Sequence, residues 1–116
     1  MQTAALRGGW RTAWAILGFG LLCAGTASGQ TSADGLALAK AKTCLGCHQV
    51  DAKRVGPSFN AIAQRYAGQA NAEQLLSTAI RQGGKGRWGA VPMPAQSQVS
   101  EQDAQRLAQW IVSLRP

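Results

Sequence analysis

The chemistry-bearing residues of this 116-residue chain are concentrated in one segment, TCLGCHQV, which contains Cys44, Cys47 and the single histidine, His48. Thiols and an imidazole at this spacing suit four kinds of site. These are a disulfide, a zinc site, a thiol redox motif and a covalently attached haem. The rest of the chain has to discriminate between them.

The spacing C-x-x-C-H favours haem attachment over the other three sites. Two thiols on one turn can form thioethers on one side of a porphyrin, and His48 then follows as an iron ligand. A structural zinc ion needs four Cys or His ligands, which the chain lacks once its N-terminal segment is set aside. A thiol redox motif is expected beside a βαβ pattern, which is not visible. A disulfide between Cys44 and Cys47 remains open, but it would leave His48 unexplained.

Met93 is the candidate for a second iron ligand. It lies in the segment VPMPA, between Pro92 and Pro94, and the only other methionine is Met1. A lone methionine is often core filler. Two flanking prolines instead fix the backbone on both sides and set the direction of the thioether. Histidine with methionine is the axial pair that raises the potential of cytochromes c.

The N-terminal segment has the organisation of a secretory signal peptide. Arg7 and Arg11 precede an uncharged, largely apolar run of twelve residues, Ala13–Ala24, and a small-residue stretch follows. Positive start, short apolar centre and small-residue exit predict cleavage after Ala27 or Gly29. The run is shorter than the roughly 20 residues of a membrane span. An uncleaved N-terminal anchor is the alternative.

Residues 1–29 are therefore predicted to be a signal peptide and residues 30–116 to form one domain, exported to the periplasm. The domain has ten Lys and Arg against five Asp and Glu, a net charge near +5. This charge favours acidic protein partners or anionic surfaces, and an exported chain is not expected to bind nucleic acid or to insert stably into the membrane. A core this small commonly needs a disulfide, a metal or a cofactor.

Four short helices are predicted. The first covers residues 32–42, which are rich in Ala, Leu and Lys. Ser58 is the predicted N-cap of a second helix that runs through Tyr66. Asn71 and Gln74 have capping-box spacing at the start of a third helix, which Gly83 and Gly84 end.

The last two predicted elements are an irregular loop over residues 84–99 and a C-terminal helix. A loop of this length in a small domain is often functional. Ser100 is the predicted N-cap of the final helix. Leu107, Trp110 and Ile111 lie on one helical face there. The chain is therefore predicted to be an all-α domain.

Four segments in this order, CLGCH, VGPSF, GRWGAVPMP and VSEQDAQRLAQW, resemble the small bacterial class I cytochromes c. The resemblance runs from about residue 34 to the C-terminus. It implies a class I cytochrome c fold, with four to five short helices wrapped around one covalent haem c. It also implies a monomeric electron carrier rather than an enzyme. Its periplasmic respiratory partners would be, for example, a quinol-oxidising complex as donor and nitrite reductase or a terminal oxidase as acceptor.

The resemblance implies roles for three further residues. Pro57 matches the proline whose carbonyl accepts a hydrogen bond from the proximal histidine, a contact that orients the imidazole. Trp88 matches the tryptophan whose indole N–H binds a buried haem propionate. Trp110 matches an aromatic that packs between helices. A turn proline and a core tryptophan are the simpler interpretations of Pro57 and Trp88.

The chain also departs from the family pattern. Gln96 replaces an asparagine that helps to orient the ligand sulfur. Ala39 stands where an aromatic is common, and Ala79 where an arginine often pairs with a propionate. Arg81 or Arg87 is a candidate substitute for that arginine.

Two other functions share the same motifs and stay open. The first is a haem subunit of a multi-subunit oxidoreductase, such as a sulfur-oxidising complex. The second is a ligand-sensing or peroxidatic haem protein with a labile Met93. The basic set Arg81, Lys85 and Arg87 is typical of a solvated face, and in the carrier interpretation it would steer an acidic partner.

Overall fold

The computed structural model describes residues 28–114, and of residues 28–31 only the backbone. The predicted signal peptide therefore lies almost wholly outside the described residues and stays a prediction. The described elements are α1 (Ser28–Ala41), a 3-10 turn (Cys44–Gly46), α2 (Phe59–Arg65), α3 (Ala72–Gln82) and α4 (Glu101–Ser113).

The all-α prediction is confirmed for the described part of the chain. The only β-type pairing there is an isolated antiparallel bridge between Gly84 and Met93. Helix α1 begins at Ser28, four residues before the predicted start. Between residues 28 and 114, no helix is long and apolar enough to cross a bilayer.

Serine side chains begin two of the helices, as predicted. Ser58 Oγ accepts a hydrogen bond from the backbone N–H of Ala61 at 3.1 Å, at the start of α2. Ser100 Oγ accepts one from Asp103 N–H at 3.1 Å, at the start of α4. Each hydroxyl thereby pairs one of the N–H groups that a helix start leaves without a helical partner.

The capping box predicted at the start of α3 is wrong. Asn71 precedes the helix, but its side chain caps no backbone N–H. Its backbone has φ −102° and ψ 17° rather than the extended conformation that aims a cap side chain at the helix. Gln74 Nε2 instead donates to Thr78 Oγ1, one turn along the helix, at 3.4 Å.

Helix α4 is the central element of the fold, because α1, α2 and α3 all pack against it. Its buried face consists of Ala104, Leu107, Ala108, Trp110 and Ile111. The Trp110 ring meets Phe59 of α2 edge-to-face, with ring centroids 4.9 Å apart. Edge-to-face aromatic pairs stabilise a core beyond the area that they bury.

Small residues let α1 approach α4 closely. Ala39, where the family often has an aromatic, is fully buried in this chain. A Cβ atom on Gly35 would lie 2.0 Å from Cγ of Trp110. The sequence pattern did not single out Gly35, yet the crossing of the two helices depends on its lack of a side chain.

Candidate cofactor site

An apolar cavity of about 300 Å³ lies between the 3-10 turn, α2, α3, α4 and the long loop. All six residues predicted from the sequence to form the site line this cavity. They are Cys44, Cys47, His48, Pro57, Trp88 and Met93. The apolar part of the wall comes largely from Phe59, Ile62, Leu76, Ile80, Leu107 and Ile111.

A compact turn presents the two cysteines. The N–H of Cys47 and the N–H of His48 both donate to the Cys44 carbonyl, at 3.1 and 2.9 Å. Thr43, just before the turn, has φ 62°, a left-handed conformation that a β-branched residue rarely adopts. Cys44 is partly buried and Cys47 is exposed, and both are free thiols. Burial raises the pKa of the Cys44 thiol, against a weaker opposing backbone hydrogen bond, and so favours its neutral form.

His48 is held in one orientation by its neighbours. The ring is only 8% exposed, and Nδ1 lies 2.7 Å from the Pro57 carbonyl oxygen. A carbonyl can only accept a hydrogen bond, so Nδ1 carries a proton and Nε2 is the ring nitrogen left to bind an iron. Phe59 stacks on the imidazole at a centroid distance of 5.3 Å. A Cβ atom on Gly56 would lie 2.5 Å from Cε1 of the ring, so the backbone there also contacts the imidazole.

Met93 lies where the long loop is closed by backbone pairing. Its N–H donates to the Gly84 carbonyl at 2.8 Å, and the Gly84 N–H donates to the Met93 carbonyl at 3.0 Å. Gly83 ends α3 as predicted, with φ 72°. Any Cβ atom there would meet the backbone of residues 93–95, starting with the Met93 carbonyl oxygen. Gly83 is therefore needed both to end the helix and to bring the Met93 backbone close to it.

Gln96 stabilises the loop beyond Met93. Its backbone N–H donates to the Ile80 carbonyl at 3.0 Å, which ties the loop to α3. Its side-chain Nε2 donates to the Pro94 carbonyl at 2.9 Å. The side-chain amide N–H of Gln96 is thus directed to the loop backbone.

Trp88 lies on the rim of the cavity rather than in the core, and 39% of it is exposed. The guanidinium carbon of Arg65 is 4.4 Å from the centroid of its ring. Arg81 and Arg87 are the candidates to replace the propionate-binding arginine that the family often has at the position of Ala79. Arg87 lines the cavity and Arg81 does not. The contact between Arg65 and Trp88 could not be predicted from the sequence, because the two residues are 23 positions apart and share no local pattern.

The residues present fit a covalently bound haem. The wall is apolar, two thiols stand at attachment spacing, and the cavity has both an imidazole whose Nδ1 is bound by the Pro57 carbonyl and a thioether sulfur. Imidazole and thioether are the donors that cytochromes c use for iron. Elsewhere in residues 28–114 there is no group of three or more His, Cys, Asp or Glu side chains that could hold a metal ion.

Comparison with known proteins agrees with this site. The family model for cytochrome c matches residues 32–115, most of the chain. The chain belongs to the cytochrome c family, and it is a small class I member of the bacterial kind. It is an electron carrier with one covalently bound haem c, and not an enzyme.

Individual relatives are similar over most of their length. Cytochrome c-552 of Nitrosomonas europaea is 43% identical over 107 residues, which cover 90% of this chain and 99% of that protein. Cytochrome c-552 of Hydrogenobacter thermophilus is 47% identical over 78 residues, 67% of this chain and 79% of that protein. The crystal structure of wild-type N. europaea cytochrome c552 superposes with a TM-score of 0.68 at 44% identity, covering 69% of this chain and 99% of that one.

Proposed function

We propose that this chain is a periplasmic carrier that transfers one electron at a time between respiratory proteins. Cys44 and Cys47 would form the thioethers to the haem, and His48 and Met93 would be the ligands to its iron. The observation that carries the proposal is that these four side chains, from two distant parts of the sequence, line one apolar cavity. Haem c supplies an iron that alternates between the ferrous and ferric states.

Neighbouring residues fix the orientation in which His48 would bind the iron. The Pro57 carbonyl holds the Nδ1 proton, so that Nε2 is the nitrogen available to the iron. Phe59 and the Gly56 backbone fix the ring plane. A fixed imidazole changes little between oxidation states, which suits rapid electron transfer.

The surrounding wall excludes water and favours the reduced state. Apolar side chains from α2, α3 and α4 lower the local dielectric, and a thioether donor raises the potential relative to a second imidazole. Unlike the apolar wall, the rim of the cavity is positively charged, because Lys85 and Arg87 lie there. With Trp88, they are the proposed partners of the haem carboxylates.

Export and partners follow from the same proposal. Residues 1–29 direct the chain to the periplasm and are removed, and residues 30–116 act there as a monomer. A quinol-oxidising complex is the proposed donor, and nitrite reductase or a terminal oxidase the proposed acceptor. The excess of positive charge selects partners with acidic docking surfaces, so electron transfer is expected to slow as ionic strength rises.

The proposal is tested with protein matured in a haem-attaching host. Denatured, acid-treated protein should keep its pigment and weigh one haem more than the polypeptide. Met93→Ala should remove the weak near-infrared band of the ferric protein, whereas Val91→Ala, a change in the same cavity wall that removes no ligand atom, should keep it. An unchanged band in Met93→Ala would remove Met93 from the iron.

Two further measurements separate the carrier from its alternatives. Elution of native protein as a free monomer supports the carrier, whereas constant co-elution with a larger assembly supports a subunit of a multi-subunit oxidoreductase. Resistance of the ferrous protein to carbon monoxide at neutral pH also supports the carrier. Ready binding of carbon monoxide would support a ligand-sensing protein with a labile methionine.

A further inference from the structure

The loop that ends at Met93 has few fixed points of its own. Two backbone hydrogen bonds between Gly84 and Met93 close its ends. Between them, residues 85–92 include Gly86 and Gly89, with φ 80° and 109°. Glycine adopts many backbone conformations when it is not restrained, so contacts from elsewhere must hold this loop against the cavity.

One side chain of α2 supplies most of those contacts. The Arg65 guanidinium lies over the Trp88 ring, 4.4 Å from its centroid, and Nη1 donates to the Arg87 carbonyl oxygen. A further hydrogen bond runs from the loop to the residue after α2: Arg87 Nη1 donates to the Tyr66 hydroxyl oxygen at 3.4 Å. Within residues 28–114, these are the hydrogen bonds and the cation–π contact that join residues 85–92 to another element.

Arg65 is well suited to hold the loop. Its helix is anchored in the core by the buried residues Phe59 and Ile62. In the described part of the chain, its charge is paired with no carboxylate, and the ion pairs there all involve Asp103. A planar guanidinium can stack on an indole and donate a hydrogen bond in its own plane at the same time, which an ammonium cannot do equally well.

We propose that Arg65 is a positioning residue for the haem site. It holds the loop of residues 84–93 closed over the cavity, and so determines how often the Met93 sulfur leaves the iron. The inference rests on the axial role proposed above for Met93. Loss of one cation–π contact and one charge-assisted hydrogen bond is expected to raise the open fraction of the loop about tenfold.

Three variants of the matured holoprotein test the inference. Arg65→Ala removes both the cation–π contact and the hydrogen bond. Arg65→Lys keeps the positive charge but lacks the planar guanidinium. Arg81→Ala is the matched control, because it removes the same charge from an exposed residue at the end of α3. The Arg81 side chain forms no hydrogen bond or ion pair within residues 28–114.

The first readout is the binding of imidazole to the ferric protein, followed by loss of the near-infrared band. Imidazole can take the sixth position only when Met93 leaves it. We expect Arg65→Ala to bind imidazole about tenfold more readily than wild type, Arg65→Lys to be intermediate, and Arg81→Ala to match wild type. A role limited to global stability would not produce this order in folded protein.

The second readout is amide hydrogen exchange. Arg65→Ala should speed the exchange of residues 85–92 about tenfold and leave the buried amides of α4 unchanged. Equal imidazole binding and equal exchange in Arg65→Ala and Arg81→Ala would overturn the inference. If Met93→Ala keeps the near-infrared band, the proposed ligand is wrong, while the exchange measurement still reports whether Arg65 holds the loop.

Discussion

At the scale of single residues, the imidazole of His48 is fixed by backbone as much as by side chains. Pro57 contributes a carbonyl, Phe59 a stacked ring, and Gly56 a backbone surface with no side chain. The left-handed Thr43 precedes the same segment. Small changes in these residues should therefore affect His48, the proposed iron ligand, before they affect the rest of the fold.

Gly56→Ala tests this tight packing. The new methyl group would lie 2.5 Å from Cε1 and 2.9 Å from Nδ1 of His48, so that either the ring or the backbone must move. We expect the holoprotein to lose about 1–3 kcal/mol of unfolding free energy, together with a shifted reduction potential. Denaturant unfolding and redox titration measure the two effects.

Gly46→Ala is the control for this prediction. Gly46 lies between the two cysteines, and a Cβ atom there would have no neighbour within 4 Å. It should keep both the stability and the potential near those of wild type. Equal effects of the two substitutions would show that any added methyl group perturbs this segment, and that packing against His48 is not the cause.

At the scale of elements, the crossing of α1 and α4 depends on a glycine in the middle of a helix. Gly35 is unfavourable for an isolated helix by about 1 kcal/mol relative to alanine. It is retained at a position where a Cβ atom would come within 2.4 Å of three Trp110 atoms. Close approach of the two helices outweighs helix propensity here.

Gly35→Ala is accordingly expected to destabilise the protein although alanine favours helices. Overpacking at such a crossing costs about 1–3 kcal/mol, which exceeds the gain in propensity. Thermal unfolding of the holoprotein measures the change. Adding Trp110→Leu should recover part of the loss relative to Trp110→Leu alone, because the smaller side chain makes room. A stabilised Gly35→Ala protein would contradict the packing argument.

An ion pair provides a second connection between α4 and the segment after α1. Lys42 Nζ lies 2.9 Å from Asp103 Oδ2. The hydrogen bond from Lys42 is the main cause that lowers the pKa of Asp103 below its ordinary value. Desolvation opposes it as the second-largest effect, and the Lys42 charge, the Ser100 hydroxyl and the Arg106 charge lower the pKa further. A lowered pKa in the folded state means that the ionised carboxylate stabilises the fold.

Asp103→Asn should therefore remove a pH-dependent contribution to stability. The difference from wild type is complete above the ordinary aspartate pKa of about 3.9, and it disappears as the pH falls through the lower pKa of the folded protein. Unfolding curves between about pH 6 and 2 measure it. Glu101→Gln, an exposed acid in the same helical turn, is the control. The Asp103 effect should also shrink in high salt.

At the scale of the whole molecule, the walls of the cavity are the core. Buried residues of α2, α3 and α4 line the cavity proposed for the haem, so the chain alone has few apolar contacts to replace it. A single core in a domain this small supplies only about 3–5 kcal/mol. The cofactor is thus expected to be a structural part of the domain as well as its redox centre.

A double substitution, Cys44→Ser with Cys47→Ser, tests that expectation. The variant cannot form thioethers, and we expect it to lose its cooperative thermal transition and much of its helicity. Circular dichroism and calorimetry measure both losses. Wild-type chain made without haem maturation should behave alike. A cooperative transition and native helicity in either protein would show that the polypeptide folds without its cofactor.

Features with a local cause could be predicted from the sequence. Ser58 and Ser100 begin helices through their own hydroxyls, and Gly83 ends one. The spacing of the two thiols and His48 was sufficient to predict haem attachment. At Asn71, the same type of argument failed, because the backbone there is not in the extended conformation of a capping residue and the side chain caps no N–H.

Features with a distant cause could not be predicted. The need for Gly35 arises from Trp110, 75 positions later, and no periodicity expresses it. The stacking of Arg65 on Trp88 depends on how the loop meets the end of α2. Both require knowledge of how elements pack, which a single sequence does not contain.

The central position of α4 has a consequence for the order in which the protein is assembled. A polypeptide leaves the ribosome N-terminus first. The element against which all other helices pack is therefore the last to emerge. Until it does, the cavity lacks the part of its wall that Leu107 and Ile111 contribute, which leaves a time window for a haem to enter before the domain closes.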